Sequence, residues 1–353
     1  MTARFPGNAA ALGAAICWLG GTWFLAAGQT AGGQSTIVFV STRDDSASDP
    51  RAAAEIYLMN GDGTHPRRIT NNHAGDGFPA LSPDGKRLVF DSDRLRAEAE
   101  PVGTSDLFVM NSDGSQVAHL IRGSSATWSP DGKQVAYHAS ASGSGQPIKQ
   151  DPGAATTDSD IFTLNVNDIL AEKPGATARN LTRNPAAIND DPDWSPDGKR
   201  IAYTSHAVTD NPRNSATAEI YVMSADGAGQ PVRLTHNTEE ERGPAWSPDG
   251  ARIAFMCRRG GQDFELCVMN ADGSNQVQLT DNNVLDATPS WSPDGKTIVF
   301  HRPVGGPGRF QLWVINADGT GEAQLTSPPG ANGFPNWSAC GDQRNTPRLK
   351  MPW

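Results

Sequence analysis

The chain is poor in charge. Only 19% of its 353 residues are charged, against ~25% in an average globular domain. So little charge excludes a solvated coiled coil or an acidic disordered tail. Basic residues are the scarcer sign: 29 Lys and Arg stand against 39 Asp and Glu, for a net charge of −10. That excludes a general nucleic-acid binder, whose affinity rests on Lys and Arg against phosphates, and argues against docking on an anionic membrane. Long apolar helical runs are scarce. No His-Glu-x-x-His pair, Gly-x-Ser-x-Gly elbow or phosphate-binding Gly-rich loop opening a helix occurs. No twelve-residue calcium loop occurs either. What is abundant is turn chemistry: 37 Gly and 26 Pro, which predicts an all-β protein of short strands.

The first thirty residues differ from the rest. Arg4 is the only charge before Arg43, and Ala9 to Ala27 is uncharged and rich in Ala, Leu, Gly and Trp. A basic start, an apolar run and a small-residue exit at Ala26-Ala27-Gly28 form a secretory signal pattern. Residues 1–28 are therefore expected to be a signal peptide cleaved near Gln29. An uncleaved anchor is the alternative, since the run nearly spans a bilayer. Ile16 before Cys17 does not fit a lipoprotein signal. The mature chain, 29–353, is expected in the periplasm or outside the cell, without a membrane span. Export favours disulfides. Cys257 and Cys267 flank the turn Arg258-Arg259-Gly260-Gly261-Gln262, so they are expected at facing positions of a hairpin, close enough to bond. Two buried thiols are the alternative, and Cys340 is left odd.

An internal repeat governs the remainder. Ser-Pro-Asp-Gly occurs at Ser82–Gly85, Ser129–Gly132, Ser195–Gly198, Ser247–Gly250 and Ser292–Gly295, with a degenerate copy at Ser338–Gly341. Trp128, Trp194, Trp246, Trp291 and Trp337 directly precede it, and Leu81 takes that place in the first copy. A polar residue and an alternating apolar run follow, as in Arg252-Ile253-Ala254-Phe255. A second β-rich run, such as Glu265-Leu266-Cys267-Val268-Met269-Asn270, leads to an Asp-Gly turn. The last element ends in Leu-Thr or Ile-Thr: Ile69-Thr70, Leu181-Thr182, Leu234-Thr235, Leu279-Thr280 and Leu325-Thr326. Pro pre-sets φ in such turns and Gly supplies φ > 0.

Each unit thus reads as four antiparallel strands in about 45 residues, a propeller blade. Second strands start near residues 36, 86, 133, 199, 251 and 296, which predicts six blades. Ser35 to Ser41 is a second strand without an inner one, and Phe334 to Trp337 an inner strand without a second. Their pairing would close the ring and remove its exposed edges. The Trp strand is expected innermost, with the Trp wedged between blades.

Trp-Ser-Pro-Asp-Gly-Lys together with Tyr-Val-Met-x-Ala-Asp-Gly resembles the TolB-type propeller repeat, over nearly all of residues 35–342. The resemblance implies a six-bladed propeller used for binding. It departs from TolB itself in having no α/β domain between the signal and the first blade strand, so the Tol-Pal role is not carried over.

On a propeller of this kind the stereotyped turns share one face. The opposite face takes the long unlike loops, Arg43–Ala54, Ser92–Ser105, Ser140–Ser159 and Ala207–Ala218, and variable loops on a rigid scaffold usually bind. Acidic and amide-rich segments lead into the inner strands there. The candidate ligand-binding residues are His73, Asp76, Asp190, Asp191, His236, Glu239, Glu240 and Asp286. The expected function is non-catalytic binding of a protein or peptide of the cell envelope by a monomer without a cofactor. Carbohydrate recognition is an alternative, and so is Ca²⁺ or another divalent cation held by the pooled carboxylates. A further alternative is a metal-dependent lyase or hydrolase on uronate sugars, for which His138, His206 and His301, at the ends of second strands, would have to converge. A solvated acidic rim is the plain alternative to any site.

Overall fold

A computed structural model describes residues 35–44, 54–96, 105–139, 159–184, 187–207, 218–260, 263–306 and 308–339. The signal-like segment, Cys340 and most of the four long loops lie outside these residues. The described chain forms six four-stranded antiparallel sheets. Blade 1 supplies β1 (Ser35–Ser41), β2 (Glu55–Asn60) and β3 (Arg67–Arg68). Blade 2 follows with β4 (Asp76–Leu81), β5 (Arg87–Ser92), β6 (Asp106–Asn111) and β7 (Ala118–Arg122). Blade 3 has β8 (Ser124–Trp128), β9 (Gln134–Ala139), β10 (Asp160–Asn165) and β11 (Arg179–Asn180), with a short helix α1 (Val166–Leu170) before the last. Blade 4 is β12 (Ala187–Trp194), β13 (Arg200–Ala207), β14 (Glu219–Ser224) and β15 (Val232–Arg233). Blade 5 is β16 (Glu241–Trp246), β17 (Arg252–Cys257), β18 (Glu265–Asn270) and β19 (Val277–Gln278). Blade 6 is β20 (Ala287–Trp291), β21 (Thr297–Pro303), β22 (Phe310–Asn316) and β23 (Ala323–Gln324), and β24 (Asn332–Ala339) returns to blade 1.

This is the six-bladed propeller that the repeat predicts, closed as its two orphan strands predict. β1 pairs with β2 on one side, Ile37 opposite Met59, and with β24 on the other, Ile37 opposite Trp337. Every inner strand also touches the inner strands of both neighbouring blades, so the ring is continuous.

The Ser-Pro-Asp-Gly turn forms because it satisfies its own polar groups. Ser129 Oγ donates to Asp131 Oδ1 at 2.7 Å and accepts from the Gln134 amide at 2.9 Å. The Lys133 amide donates to the same carboxylate at 3.1 Å, and the Gly132 amide to Ser129 O at 2.8 Å. Hydrogen bonds from Ser129 and Lys133 hold Asp131 below the usual carboxylate range. Gly132 closes the turn at φ 68°, a conformation that disfavours a side chain. Successive turns also pack on one another: a Cβ on Gly250 would lie 3.2 Å from Pro196 Cγ of the preceding blade.

Two details differ from the sequence reading. The outer strands are two residues long, except β7, and stop before the Leu-Thr pair. There the threonine hydroxyl replaces the ladder: Thr70, Thr235, Thr280 and Thr326 Oγ1 each accept, at 2.9 Å, the amide of Ile56, Ile220, Leu266 or Leu312. The leucine can then turn inward. Blade 3 has no Asp-Gly turn, and α1 stands in its place, capped by Asn165, whose side chain accepts from the Asp168 amide at 3.1 Å.

No blade has a core of its own. The buried apolar residues form six clusters, each spanning two blades. Trp246 packs on Ala202, Ile220 and Val222 of blade 4, and Trp291 on Ala254, Leu266 and Val268 of blade 5. Trp128 meets Val89, Leu107 and Val109 of blade 2, and Trp194 meets Ala136 and Ile161 of blade 3. Leu81 fills the same place against Val38, Ile56 and Leu58, and Trp337 sits against Val299 and Leu312. The four tryptophans Trp128, Trp194, Trp246 and Trp291 are 5–7% exposed, so they are wedges and not surface rings. The arginine after the turn serves the next blade. Arg87, Arg200 and Arg252 lie 4.9, 4.5 and 4.6 Å from the rings of Trp128, Trp246 and Trp291. Arg87 and Arg252 also donate to the carbonyls of Gly132 and Gly295.

Cys257 and Cys267 are joined, with Cα atoms 5.8 Å apart. They do not face each other: Cys257 lies opposite Glu265, and Cys267 opposite Phe255. The offset is two residues, which keeps both side chains on one face and makes them diagonal neighbours.

Three outcomes are expected. Trp246→Ala or Trp291→Ala removes a wedge worth ~3–5 kcal/mol, so thermal melts should fall by several degrees or folding should fail. A chain beginning at Asp44 lacks β1 and should aggregate or melt far lower in size-exclusion and melting experiments, whereas one beginning at Gln29 should not. Mass spectrometry without reduction should recover one Cys257–Cys267 peptide pair, a link worth only ~2–3 kcal/mol because its loop is short.

Candidate binding site at the inner ring

Each inner strand breaks its pairing once, at the same level. The register shifts fall after Gly77, Ser124, Asp190, Arg242 and Ala287, and at the matching place in β24. The bulged residue has φ between 42° and 58° in all six: Phe78, Ser125, Asp191, Gly243, Thr288 and Phe334. Only one is glycine. Left-handed conformation in the other five costs of order 1–3 kcal/mol each, and bulges of this kind re-aim side chains beside sites. The bulge is also structural, because the residue before the Trp binds across the ring: Asp193 Oδ2 accepts from the Trp246 amide at 2.7 Å, and Ser290 Oγ from the Trp337 amide at 2.9 Å.

The ring is uneven. On blades 1 and 2 it is aromatic, with Phe78 and Phe334 centroids 4.5 Å apart. His301 extends this side, 5.1 Å from Phe334 and 4.7 Å from Phe310. Its Nδ1 lies 2.8 Å from Thr288 Oγ1 and accepts from the Phe334 amide at 3.2 Å. Burial pushes His301 down to about 4, so it is a neutral packing residue.

Across the ring, from blade 2 to blade 5, the side chains are ionisable. Asp91 is buried and accepts from Ser124 Oγ and the Ser125 amide. Burial pushes it up to about 8, against the pull of those donors. The Asp191 amide donates to His138 Nδ1 at 3.4 Å. Burial and the adjacent Asp190 raise the Asp191 carboxyl, while His138 and Arg242 oppose the shift. Burial holds His206 below its usual value, although Asp190 and Glu240 face it. Its Nε2 is buried without a partner. Arg242 and Arg258 both pair with Glu240. Asp193, raised by burial to about 7, links blades 3 to 5 by also accepting from Thr127 Oγ1 at 3.1 Å.

The eight residues singled out in the sequence therefore separate. Asp190, Asp191 and Glu240 gather around Arg242 on the ionisable side. His73 and His236 are exposed on the loops. Glu239 accepts from the Gly260 amide at 2.8 Å. Asp76 and Asp286 are buried and committed inside the fold. Asp76 takes Asn72 Nδ2, Ser92 Oγ and Arg94, and Asp286 takes Asn282 Nδ2 and both sides of Arg302.

The histidines do not converge. His138 and His301 occupy the same register, opposite Ser124 and Ala287, but on blades 3 and 6, on opposite sides of the ring. His206 lies farther along its strand, opposite Ile188. Among the described residues, no three His, Cys, Asp or Glu side chains are placed to hold a metal ion. Asp91, Ser125, Arg242, Phe78 and Phe334 are the ring residues that sequence reasoning passed over. Only Phe78 and Phe334 carry a signal, the run x-Pro-x-Trp, which marks the bulged x in four inner strands and, with Leu81 in the Trp place, in a fifth.

The sequence matches the TolB beta propeller domain over residues 32–159 and 154–341. The chain belongs to this family. Similar solved structures include TolB of Acinetobacter baumannii, with TM-score 0.66 at 19% identity over 86% of this chain and 66% of that one. A putative TolB of Agrobacterium tumefaciens gives TM-score 0.57 at 24% identity, over 86% and 92%. At those identities the likeness is one of fold. Among curated relatives, an uncharacterized protein of Agrobacterium fabrum is 31% identical over 172 residues, 42% of this chain and 55% of its own length. The uncharacterized peptidase YuxL of Bacillus subtilis is 36% identical over 83 residues, only 12% of its length. The TolB-type chain thus spans about half the length of the first of these curated relatives and about an eighth of the second.

The electrostatics of this TolB-type ring have a measurable sign. Asp91 titrates near ~3.9 when unfolded and near about 8 when folded. Its contribution is whole below the unfolded value and is lost as pH rises through the folded one. Asp91→Asn is neutral throughout, so its melting temperature relative to the wild type should rise with pH and level off above about 8.

Proposed function

We propose that the protein is an exported, monomeric binding propeller that holds a protein or peptide of the cell envelope at its loop-rich face and channel mouth. The observation that carries this reading is the unevenness of the inner ring. The five Ser-Pro-Asp-Gly turns on the opposite face are copies of one another, as a structural face requires. At the bulge level the repeat is abandoned, and Phe78, Phe334, Asp191 and Ser125 differ although their backbones match. An apolar side chain suits the aromatic half, and amide or charged groups suit the half around Asp190, Asp191 and Arg242. The reading needs neither catalysis nor a cofactor. Export rests on the N-terminal signal pattern. No helix among the described residues is long and apolar enough to cross a membrane.

The immobilised protein should capture a discrete protein or peptide from solubilised envelope extract. The double variant Asp190→Asn, Arg242→Ala should weaken that capture at least about tenfold. Lys199→Glu, on the turn face, should leave it unchanged. Capture that is indifferent to the ring variant, or equally sensitive to the turn-face variant, would count against the reading.

A further inference from the structure

One position recurs at five of the six seams between blades. The start of a third strand meets the start of the next blade's inner strand, or the residue just before it. Between blades 6 and 1 the pair is an amide pair, with Asn332 Nδ2 donating to Gln311 Oε1 at 2.9 Å. Between blades 3 and 4 Asn189 Nδ2 donates to Asp160 Oδ1 at 3.3 Å. Two further seams bring carboxylates together and neutralise them with donors. Asn72 spans Glu55 and Asp76, with Arg68 on the first and Arg94 on the second. Asn282 spans Glu265 and Asp286, with Arg302 on the latter.

The seam between blades 4 and 5 lacks that completion. Glu219 and Glu241 are 1% and 0% exposed. Glu219 Oε1 takes Arg233, and Glu241 Oε1 takes Asn237 Nδ2. Arg259 stops 3.6 Å from Glu241 Oε1, too long for a hydrogen bond. The remaining oxygens, Glu219 Oε2 and Glu241 Oε2, are fully buried and have no donor. Two buried carboxylates cannot both stay charged with two acceptor oxygens unsatisfied between them.

We propose that Glu219 and Glu241 hold one proton between them, making the seam between blades 4 and 5 a pH-sensitive latch at the loop-rich end of the ring. One carboxyl then donates to the other, and both orphaned oxygens are satisfied. The proton comes from solvent and returns there when the latch opens. Burial first, then the Glu219 carboxylate, pushes Glu241 up to about 7. The groups facing the pair are Arg233 and Asn237 from blade 4 and its loop, and Arg259 from the β17–β18 turn. The adjacent Glu240 is occupied by Arg242 and Arg258, and Glu239 by the Gly260 amide. None of these supplies a donor to the two orphaned oxygens. A raised carboxyl stabilises the fold most below its unfolded value, ~4.3 for Glu. That stability is lost as pH rises through about 7. The latch is therefore closed in acid and loosened in mild alkali. It stands whether or not the face above it binds a partner.

The test is thermal melting of the wild type, Glu241→Gln and Glu219→Gln at about pH 5 and about pH 8.5. A glutamine supplies the missing donor at every pH, as the amide pair at Gln311 and Asn332 already does in this chain. Both variants should melt close to the wild type at the lower pH and above it at the higher. The fall in melting temperature between the two should shrink by about 3 °C or more. Asp91 and Asp193 contribute equally to all three proteins, so the difference isolates the latch. Curves that run parallel for wild type and variants would overturn the proposal. So would failure of either variant to fold at the lower pH, because a neutral pair would then not close this seam.

Discussion

A blade of this protein has two apolar faces and cannot bury either one alone. Every large buried side chain reaches its environment across a seam, and six seams exist only if the ring closes. The pairing of β1 with β24 is therefore more than one sheet contact among many. It converts a row of blades with two bare ends into a ring with none, which is how the chain buries its core. The Trp wedge and the arginine stacked on it serve seams and not blades.

The architecture was legible because repetition makes weak signals add. One Ser-Pro-Asp-Gly is only a turn, whereas five copies with Trp before and an apolar run after set the strand order and the blade count. The orphan strands at Ser35 and Phe334 even showed where the ring closes. The local departures were not legible, because each depends on a neighbour that sequence spacing does not place. Leu-Thr reads as strand, but Thr235 replaces a ladder bond with its hydroxyl. Cys257 and Cys267 bracket a hairpin turn symmetrically, yet the register sets them on a diagonal.

The candidate site was legible only in part, for the same reason. Asp76 and Asp286 look like rim carboxylates in a loop rich in Asp and Asn. Their partners, Arg94 and Arg302, come from the far end of the second strand, and only the folded register brings them together. Asp190 and Asp191 look no different in sequence, but the bulge at Asp191 faces His138 and Arg242 of the flanking blades. Phe78 and Phe334 lie 256 residues apart and become neighbours only through closure. A residue before proline at one level of five of the six inner strands was present in the sequence as a pattern, without anything to say that it turns left-handed or which way it points.

Closure by β24 and β1 also has a mechanical side. The pair is antiparallel, with Ser35 opposite Ala339 at one end and Ser41 opposite Asn332 at the other. Residue 35 and residue 339 therefore leave the ring side by side. Tension applied through these two points loads the ladder one rung at a time, from Ser35 inward, and does not shear all rungs together. A ring held together through six shared seams would thus peel open under a small pulling force, along a single line.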